Sequence, residues 1–160
     1  MQAPAQPPSP PESAVNGSIN DARALRKSLS QFATGVTVIT TRTPEGTLVG
    51  LTANSFGALS LEPALIVWSL RLSSASLAIF QNVPRFVVNV LTDAQVETSR
   101  HFASSAPKKF ESVAHAENQH GLPLLHGCAA WFECRRISQQ AAGDRCLFIA
   151  EVERFSNSEV

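Results

Sequence analysis

Small and hydroxyl-bearing residues are concentrated at positions 50–56, directly after a β-branched segment. The positions in this run that could contact a ligand are Thr52, Ala53, Asn54 and Ser55. A flat ring with polar edges needs donors and acceptors at close range, and such a run offers accessible amides and hydroxyls. Phe56 follows and could form an apolar wall beside them. The run therefore predicts a site for a planar heterocycle, with the filling of a tight barrel corner as the alternative.

Serines recur at positions 73–76, at the predicted start of a short helix. A helix N-terminus presents free N–H groups and the positive end of a dipole, which favours a phosphate group. Helix capping is the simpler role, but Ser73, Ser74 and Ser76 together exceed what one cap requires. Arg71 lies just upstream and could add positive charge to the same pocket. A ring site and a phosphate site together indicate flavin mononucleotide.

Two further segments carry charges that could meet a ligand. Lys108, Lys109 and Phe110 form a basic turn, which is either solvated or available to neutralise a phosphate. Asp144 and Arg145 follow a glycine and precede a predicted strand. They form either a plain hairpin turn or a mobile charged rim that meets a second substrate.

Composition argues against several classes of function. Lysine plus arginine and aspartate plus glutamate each number 13, so the formal charge is zero. No basic block is present, which argues against nucleic acid or an anionic membrane as the main partner. No apolar run approaches the length of a membrane span. The four histidines lack tight ligand spacing, so we expect no metal site.

The cysteines indicate a reducing environment. Cys128, Cys134 and Cys146 are an odd number without metal-type spacing, which predicts a cytoplasmic location. Cys128 and Cys134 lie six residues apart on one predicted strand, and hence on one face of it. We expect both to pack in the core.

The pattern of apolar residues predicts one mainly β domain after a disordered, proline-rich tail. The tail covers residues 1–20, and the domain covers residues 21–160. A helix over residues 21–32 is expected to begin at an Asn20 cap, and a capping box at Thr92 and Gln95 to begin another that reaches about residue 102. A third, short helix follows the serines. Strands are predicted at residues 36–41, 48–52, 64–70, 86–91, 129–137 and 146–155. The strand at 64–70 is nearly all apolar, so burial on both faces is expected. The order favours a closed antiparallel β-barrel with flanking helices.

These motifs in combination resemble the short-chain flavin reductases, the reductase components of two-component flavin monooxygenases. The similar segments cover most of residues 22–155 and are residues 32–38, 50–56, 73–76, 86–91, 109–110, 121–125 and 143–144. The resemblance implies a split β-barrel that binds FMN or FAD and forms a homodimer. It also implies that NAD(P)H reduces the flavin, which then passes to a partner oxygenase.

Carried over by position, the resemblance assigns three parts of the site. Thr52, Ala53, Asn54 and Ser55 would face the isoalloxazine, and Ser73, Ser74 and Ser76 would lie at the ribityl and phosphate end. Lys109 and Phe110 would lie near the phosphate and its flanking loop.

The chain departs from the family pattern at two places. The family commonly has Gly-Asp-His where this chain has Gly143-Asp144-Arg145, and that histidine is associated with the nicotinamide side of the site. Arginine keeps a donor and a permanent charge but does not titrate near neutral pH, and it could contact the anionic part of NAD(P)H. Family members also usually continue for about one more strand, so the barrel is expected to close differently or the chain to be a shorter form.

Two alternatives to a reductase remain open at the level of sequence. One is a flavin-binding protein without reductase activity, such as a carrier or sensor, which the missing histidine supports. The other is an interaction module in which both runs of small residues are only structural.

Overall fold

The computed structural model describes residues 3–5 and 17–158. The chain divides into two compact units, one up to Thr34 and the other from Gly35 onward. The predicted tail at residues 1–20 lies largely outside the described residues, so the tail and the boundary after it stay predictions.

The described part of the first unit contains helix α1 (Ala22–Leu29). The side chain of Asp21 caps it by accepting two backbone N–H bonds of the first turn, so the cap is one residue later than the predicted Asn20. The helix also ends three residues before the predicted position 32. The hydroxyl of Ser30 donates to the carbonyl of Lys27 at 2.7 Å, a local bond that competes with continuation of the helix.

Strands dominate the second unit, which positions the candidate site. Its first strands in chain order are β1 (Thr37–Arg42), β2 (Leu48–Ala53), β3 (Gly57–Leu61), β4 (Ala64–Arg71) and β5 (Arg85–Val90). The later strands are β6 (His115–Glu117), β7 (Pro123–Leu125), β8 (Ala130–Ala142) and β9 (Arg145–Asn157). Helix α2 (Leu77–Asn82) follows β4, and helix α3 (Val96–Ala103) follows β5. The predicted capping box of Thr92 and Gln95 is present, in a 3₁₀ turn that leads into α3.

One antiparallel sheet joins seven strands in the order β2-β1-β5-β8-β9-β4-β3, and β6 pairs with β7 separately. The prediction of a mainly β domain with flanking helices is confirmed. The prediction that the barrel is closed was wrong. In the described residues β2 and β3 are the two edges of the sheet, with no ladder between them. The reason is that the chain leaves β2 and turns back into β3, which pairs with β4.

Strand lengths differ from prediction where the local sequence is weakly β-forming. Strand β3 was missed because its sequence, Gly-Ala-Leu-Ser-Leu, contains no β-branched residue. Strands β8 and β9 are each 13 residues long and extend past their predicted ends at 137 and 155. Their ladder continues from Ser138 to Ala142 through polar and small residues, so cross-strand pairing extends both strands beyond their local propensity.

Trp68 is the centre of the main hydrophobic core. Its ring stacks on Phe148 with centroids 4.8 Å apart and meets Phe80 and Phe86 edge-on at 5.1 and 5.6 Å. Strand β4 was expected to be buried on both faces, and this was wrong. Its burial alternates along the strand, because the sheet covers one face of β4 with core residues and leaves the other only partly covered.

A second, smaller core cluster lies under α3 and contains Val38, Phe102, Leu125 and Cys128. Both Cys128 and Cys134 are buried, as predicted, but they do not share a strand face. Cys128 precedes β8 and belongs to this cluster, whereas Cys134 lies within β8 and packs in the main core.

The buried side chain of Asn89 joins three strands. Its Nδ2 donates to the carbonyl of Val38 at 2.9 Å and to the hydroxyl of Thr40 at 3.0 Å. Its Oδ1 accepts the backbone N–H of Leu125 at 2.9 Å, and Thr40 in turn donates to the carbonyl of Pro123 at 2.6 Å. Strand β7 is thereby attached to β1 and β5 through polar groups that have no access to water.

We expect Asn89→Ala to lower the free energy of unfolding by about 3 kcal/mol, because it leaves buried donors and acceptors without partners. Urea denaturation followed by circular dichroism measures this change. Asn157→Ala removes an amide from an exposed position and should change stability by less than about 0.5 kcal/mol. Equal effects of the two substitutions would contradict the structural role of Asn89.

Burial raises the pKa of the Cys134 thiol to about 12, with the charges of Glu153 and Glu133 adding to the shift. The folded protein therefore holds this proton more tightly than the unfolded chain, whose thiol titrates near 9.0. The contribution to stability is complete below pH 9 and is lost as the pH rises toward 12. Urea denaturation at pH 8, 9.5 and 10.5 should show a steeper loss in the wild type than in Cys134→Val. An equal loss of stability with pH in the two proteins would contradict the raised pKa of Cys134.

Candidate functional site

A cleft of about 490 Å³ lies where the end of β2 meets the end of β4 and the start of β9. From the first predicted run it takes Thr52, Ala53, Asn54 and Ser55. From the second it takes Arg71, Ser73 and Ser74, and Arg145 completes the charged part of the lining. Two segments about 20 residues apart in sequence thus share one cavity, whose volume is in the range of small-molecule sites.

Two of the hydroxyl groups in the first run are already used within the protein. Thr52 donates to the carbonyl of Ser99 on α3 at 2.6 Å. The Ser55 hydroxyl both donates to the carbonyl of Ser69 and accepts its N–H, each at 2.9 Å. These side chains fix the shape of the cleft, and the exposed amide of Asn54 is better placed to meet a ligand.

The serines of the second run form a turn that leads directly into helix α2, with Ser76 at the N-cap position. The N–H of Ser74 donates to the carbonyl of Arg71 at 3.0 Å, and the Ser74 hydroxyl accepts the N–H of Ser76 at 3.2 Å. Helix α2 begins only at Leu77, has six residues, and receives no side-chain capping bond from Ser76. Helix α2 is thus too short to account for a phosphate site at its N-terminus. The charged lining of the cleft is the stronger indication of such a site.

Ser76, Lys109 and Phe110 line a second cavity of about 430 Å³ instead. The ammonium group of Lys109 donates to the carbonyl of Phe102 at 3.1 Å, near the end of α3. Burial lowers the pKa of Lys109. Its neighbour Lys108 is exposed and pairs with Glu111 at 3.7 Å. Lys109 therefore holds α3 in place in addition to lining a cavity.

Gly50 allows two aromatic rings to form the wall between these cavities. Phe102 lines the first cavity and Phe110 the second, and their ring centroids are 5.2 Å apart. A Cβ at position 50 would lie 2.8 Å from Phe102 and 3.0 Å from Phe110. The glycine is required here by close approach of the rings.

The two charged residues of the β8–β9 turn have different positions. Arg145 lines the first cleft, where its Nη1 is 3.5 Å from the carbonyl of Ser69. Asp144 lies in the turn, and its backbone carbonyl accepts the N–H of Leu72 at 3.0 Å. The side chain of Asp144 lines neither of the two cavities.

Sequence reasoning missed Ser69 and Phe102 as parts of the site. Ser69 is the one hydroxyl-bearing residue in the apolar run of β4, and a polar residue in such a run signals a specific partner. Phe102 was expected only as the end of a helix. Its contact with Gly50 depends on how α3 packs on β2, which local sequence does not reveal.

Residues 29–160 match the family described as the flavin reductase like domain. The chain belongs to this family. This flavin reductase-like chain is 36% identical over 140 residues to the reductase component of a flavin-dependent trigonelline monooxygenase from Acinetobacter baylyi. It is 37% identical over 139 residues to the NADH-dependent FMN reductase SmoA of Agrobacterium fabrum. The aligned regions cover 88% and 87% of this chain, and 45% and 79% of the two relatives, respectively.

A solved structure supports the same assignment. The NADH:FAD oxidoreductase of Streptomyces globisporus, determined in complex with NAD and FAD fragments, superposes with a TM-score of 0.86 at 31% identity. The similarity covers 91% of this chain and 87% of that one. The flavin reductase-like chain spans less than half the length of the first relatives it matches.

Residues 3–5 and 17–158 contain neither a metal-binding cluster nor a membrane-spanning helix. No group of three histidine, cysteine, aspartate or glutamate side chains is placed to hold a metal ion. No helix in this part of the chain is long and apolar enough to cross a membrane.

We expect Gly50→Ala to destabilise the flavin reductase-like domain by roughly 1–3 kcal/mol, because the added methyl group displaces Phe102 and Phe110. Gly57→Ala is a matched control, since a Cβ there would meet Val67 at an ordinary 3.8 Å. Urea denaturation of both variants measures the difference. If Gly50→Ala is no more destabilised than Gly57→Ala, the close approach of the rings is not a constraint.

Proposed function

We propose that this chain is an NAD(P)H-dependent flavin reductase that holds FMN or FAD in the first cleft and supplies reduced flavin to a partner monooxygenase. The observation that carries the proposal is the convergence of residues 52–55 and 71–74 on one cavity. A flavin has a flat, polar-edged ring at one end and a phosphate at the other. The cleft offers an amide and backbone groups from one segment, and serines with arginine charge from the other.

The residues proposed to hold the ring are those around Asn54. Its amide and the neighbouring backbone N–H groups would donate to the pyrimidine edge of the ring, where negative charge increases on reduction. Thr52 and Ser55 act indirectly, because their bonds to Ser99 and Ser69 hold this backbone in position. When bound, the flavin supplies hydride chemistry with a nicotinamide. The protein then needs no general acid or base, and its task is to position the ring and exclude water.

The residues proposed for the phosphate end are Ser73, Ser74 and Arg71. Their hydroxyl and guanidinium groups match the acceptors of a phosphate ester. Ser76, Lys109 and Phe110 line the neighbouring cavity, which could receive the remainder of a longer ligand such as the adenylate of FAD. The proposed contact between Arg145 and NAD(P)H follows from its place in the lining of the cleft.

A second candidate function is a flavin-binding protein without reductase activity. Arg145 favours it, because an arginine stands at the position that the resemblance associates with the nicotinamide side of the site. The proteins named above as reductases favour the first candidate. The two functions share the flavin cleft and differ only in whether a nicotinamide can be oxidised there.

The partner and the assembly are proposals of the same kind. One relative is named as the reductase component of a trigonelline monooxygenase, which supports an oxygenase partner for this chain. A homodimer and a cytoplasmic location stay predictions from the sequence.

We expect the purified protein to bind flavin and to oxidise NADH or NADPH only when flavin is present. Anaerobic addition of each nicotinamide, with FMN or FAD bound, should bleach the visible flavin band. Asn54→Ala should raise the dissociation constant for flavin by about tenfold through loss of a hydrogen bond to a charged ring edge, whereas Asn157→Ala should not. Binding without oxidation would favour the second candidate. Absence of any flavin binding would contradict both.

A further inference from the structure

Arg71 and Arg145 lie directly opposite each other on neighbouring strands. They are Cα partners in the β4–β9 ladder, so their side chains leave the same face of the sheet with Cβ atoms about 5 Å apart. Both line the cleft that holds Asn54 and Ser55. Like charges placed directly opposite repel each other, so this pair is unfavourable unless something negative lies between the two guanidinium groups.

Each of the other arginines in residues 35–158 has a carboxylate or several backbone carbonyls as partners, and these two do not. Within residues 35–158, the paired arginines are Arg42 with Glu117, Arg85 with Glu153, Arg100 with Glu97, Arg135 with Glu151, and Arg154 with Glu133. Arg136 donates to three backbone carbonyls at 2.6–3.0 Å. Neither Arg71 nor Arg145 has a carboxylate within 4.0 Å in the described residues, and the contact of Arg145 with Ser69 is long, at 3.5 Å.

We propose that Arg71 and Arg145 together form a phosphate-binding clamp across the β4–β9 ladder. A guanidinium presents parallel N–H donors that match two oxygens of a phosphate, and two opposed guanidinium groups can hold one phosphate from both sides. This inference rests on the proposed function for its ligands. The phosphate comes either from the flavin or from the nicotinamide dinucleotide, and both bind in the same cleft under that function.

The clamp makes Arg145 a specificity-determining residue. It adds a permanent charge opposite Arg71 at the start of β9, where the family pattern has a histidine. A neutral or partly charged imidazole would leave Arg71 alone, so this chain should discriminate more strongly for phosphate-bearing ligands than its histidine variant.

Binding measurements on Arg71→Gln, Arg145→Gln and Arg145→His test the clamp. The dissociation constants of FMN and riboflavin are compared, together with KM for NADH and NADPH. If the flavin phosphate is the ligand, both glutamine variants should weaken FMN roughly tenfold to a hundredfold and leave riboflavin unchanged. If a nicotinamide phosphate is the ligand, KM for NADH or NADPH should rise by a similar factor while the FMN constant is unchanged. Arg145→Lys should recover part of either loss.

Arg154→Gln is the matched control. It removes the same charge from the same strand. Arg154 lies about 30 Å from Arg145, from the rise per residue of a β-strand, and the variant should match the wild type in all four measurements. The clamp is overturned if Arg145→Gln weakens FMN and riboflavin equally with no change in KM, or if it behaves as Arg154→Gln does.

A thermal-shift titration separates failure of the clamp from failure of the proposed function. Inorganic pyrophosphate should raise the Tm of the wild type and should not raise that of Arg145→Gln. Without ligand, Arg145→Gln should be at least as stable as the wild type, because a repulsive pair has been removed. The clamp would be contradicted if the wild type reduces flavin, its Tm does not rise with pyrophosphate, and the variants discriminate between ligands as the wild type does. The proposed reductase function would be unaffected by that result.

Discussion

The hydrogen bonds of Asn89 connect the sheet to strand β7, in the irregular stretch between α3 and β8. This asparagine lies on β5, binds the carbonyl of Val38 on β1, and accepts the N–H of Leu125 on β7. The carbonyl of Leu125 then accepts the indole N–H of Trp131 at 2.8 Å, which extends the connection to β8. Because these groups are buried, each bond that is lost leaves a polar atom without water. The irregular stretch between α3 and β8 is consequently held to the sheet by polar bonds as well as by apolar packing.

The position of the cleft follows from the gap between the two edge strands, β2 and β3. The chain leaves β2 and passes into β3 without pairing between the two edges, and the residues in this transition are the small and polar ones. Ser55 bridges the gap by bonding both backbone groups of Ser69 on β4. The Ser55–Ser69 bonds therefore set the width of the opening at this point. Arg145 reaches the opening from β9, the strand on the other side of β4. An open sheet with one side-chain bridge produces a cavity that a closed ladder would fill.

Sequence reasoning found both segments of the cleft because each directly follows a strand with a strong β-branched or apolar pattern. The residues it missed act through tertiary partners. Ser69 matters because Ser55 reaches it, and Asn89 matters because three strands meet around it, and neither relation is visible in local spacing. Phe102 and Gly50 are a third case, since the requirement for glycine arises only when α3 lies on β2. Ser76 is separated from the other two serines, because it stands at the N-cap position of α2 and lines the second cavity.

The two-residue turn between β8 and β9 has a consequence for how this family can tolerate insertions and deletions. Ala142 and Arg145 are paired across the turn. Gly143 between them has a φ of +59°, a backbone conformation that residues with a side chain rarely adopt. Adjacent residues of a strand point to opposite faces, so an indel of a single residue at this turn would exchange Arg145 with Cys146. A guanidinium would then enter the aromatic core and a thiol would face the cleft. Length variation in homologous chains should accordingly be absent from this turn and be found in connections that do not set the register of β9.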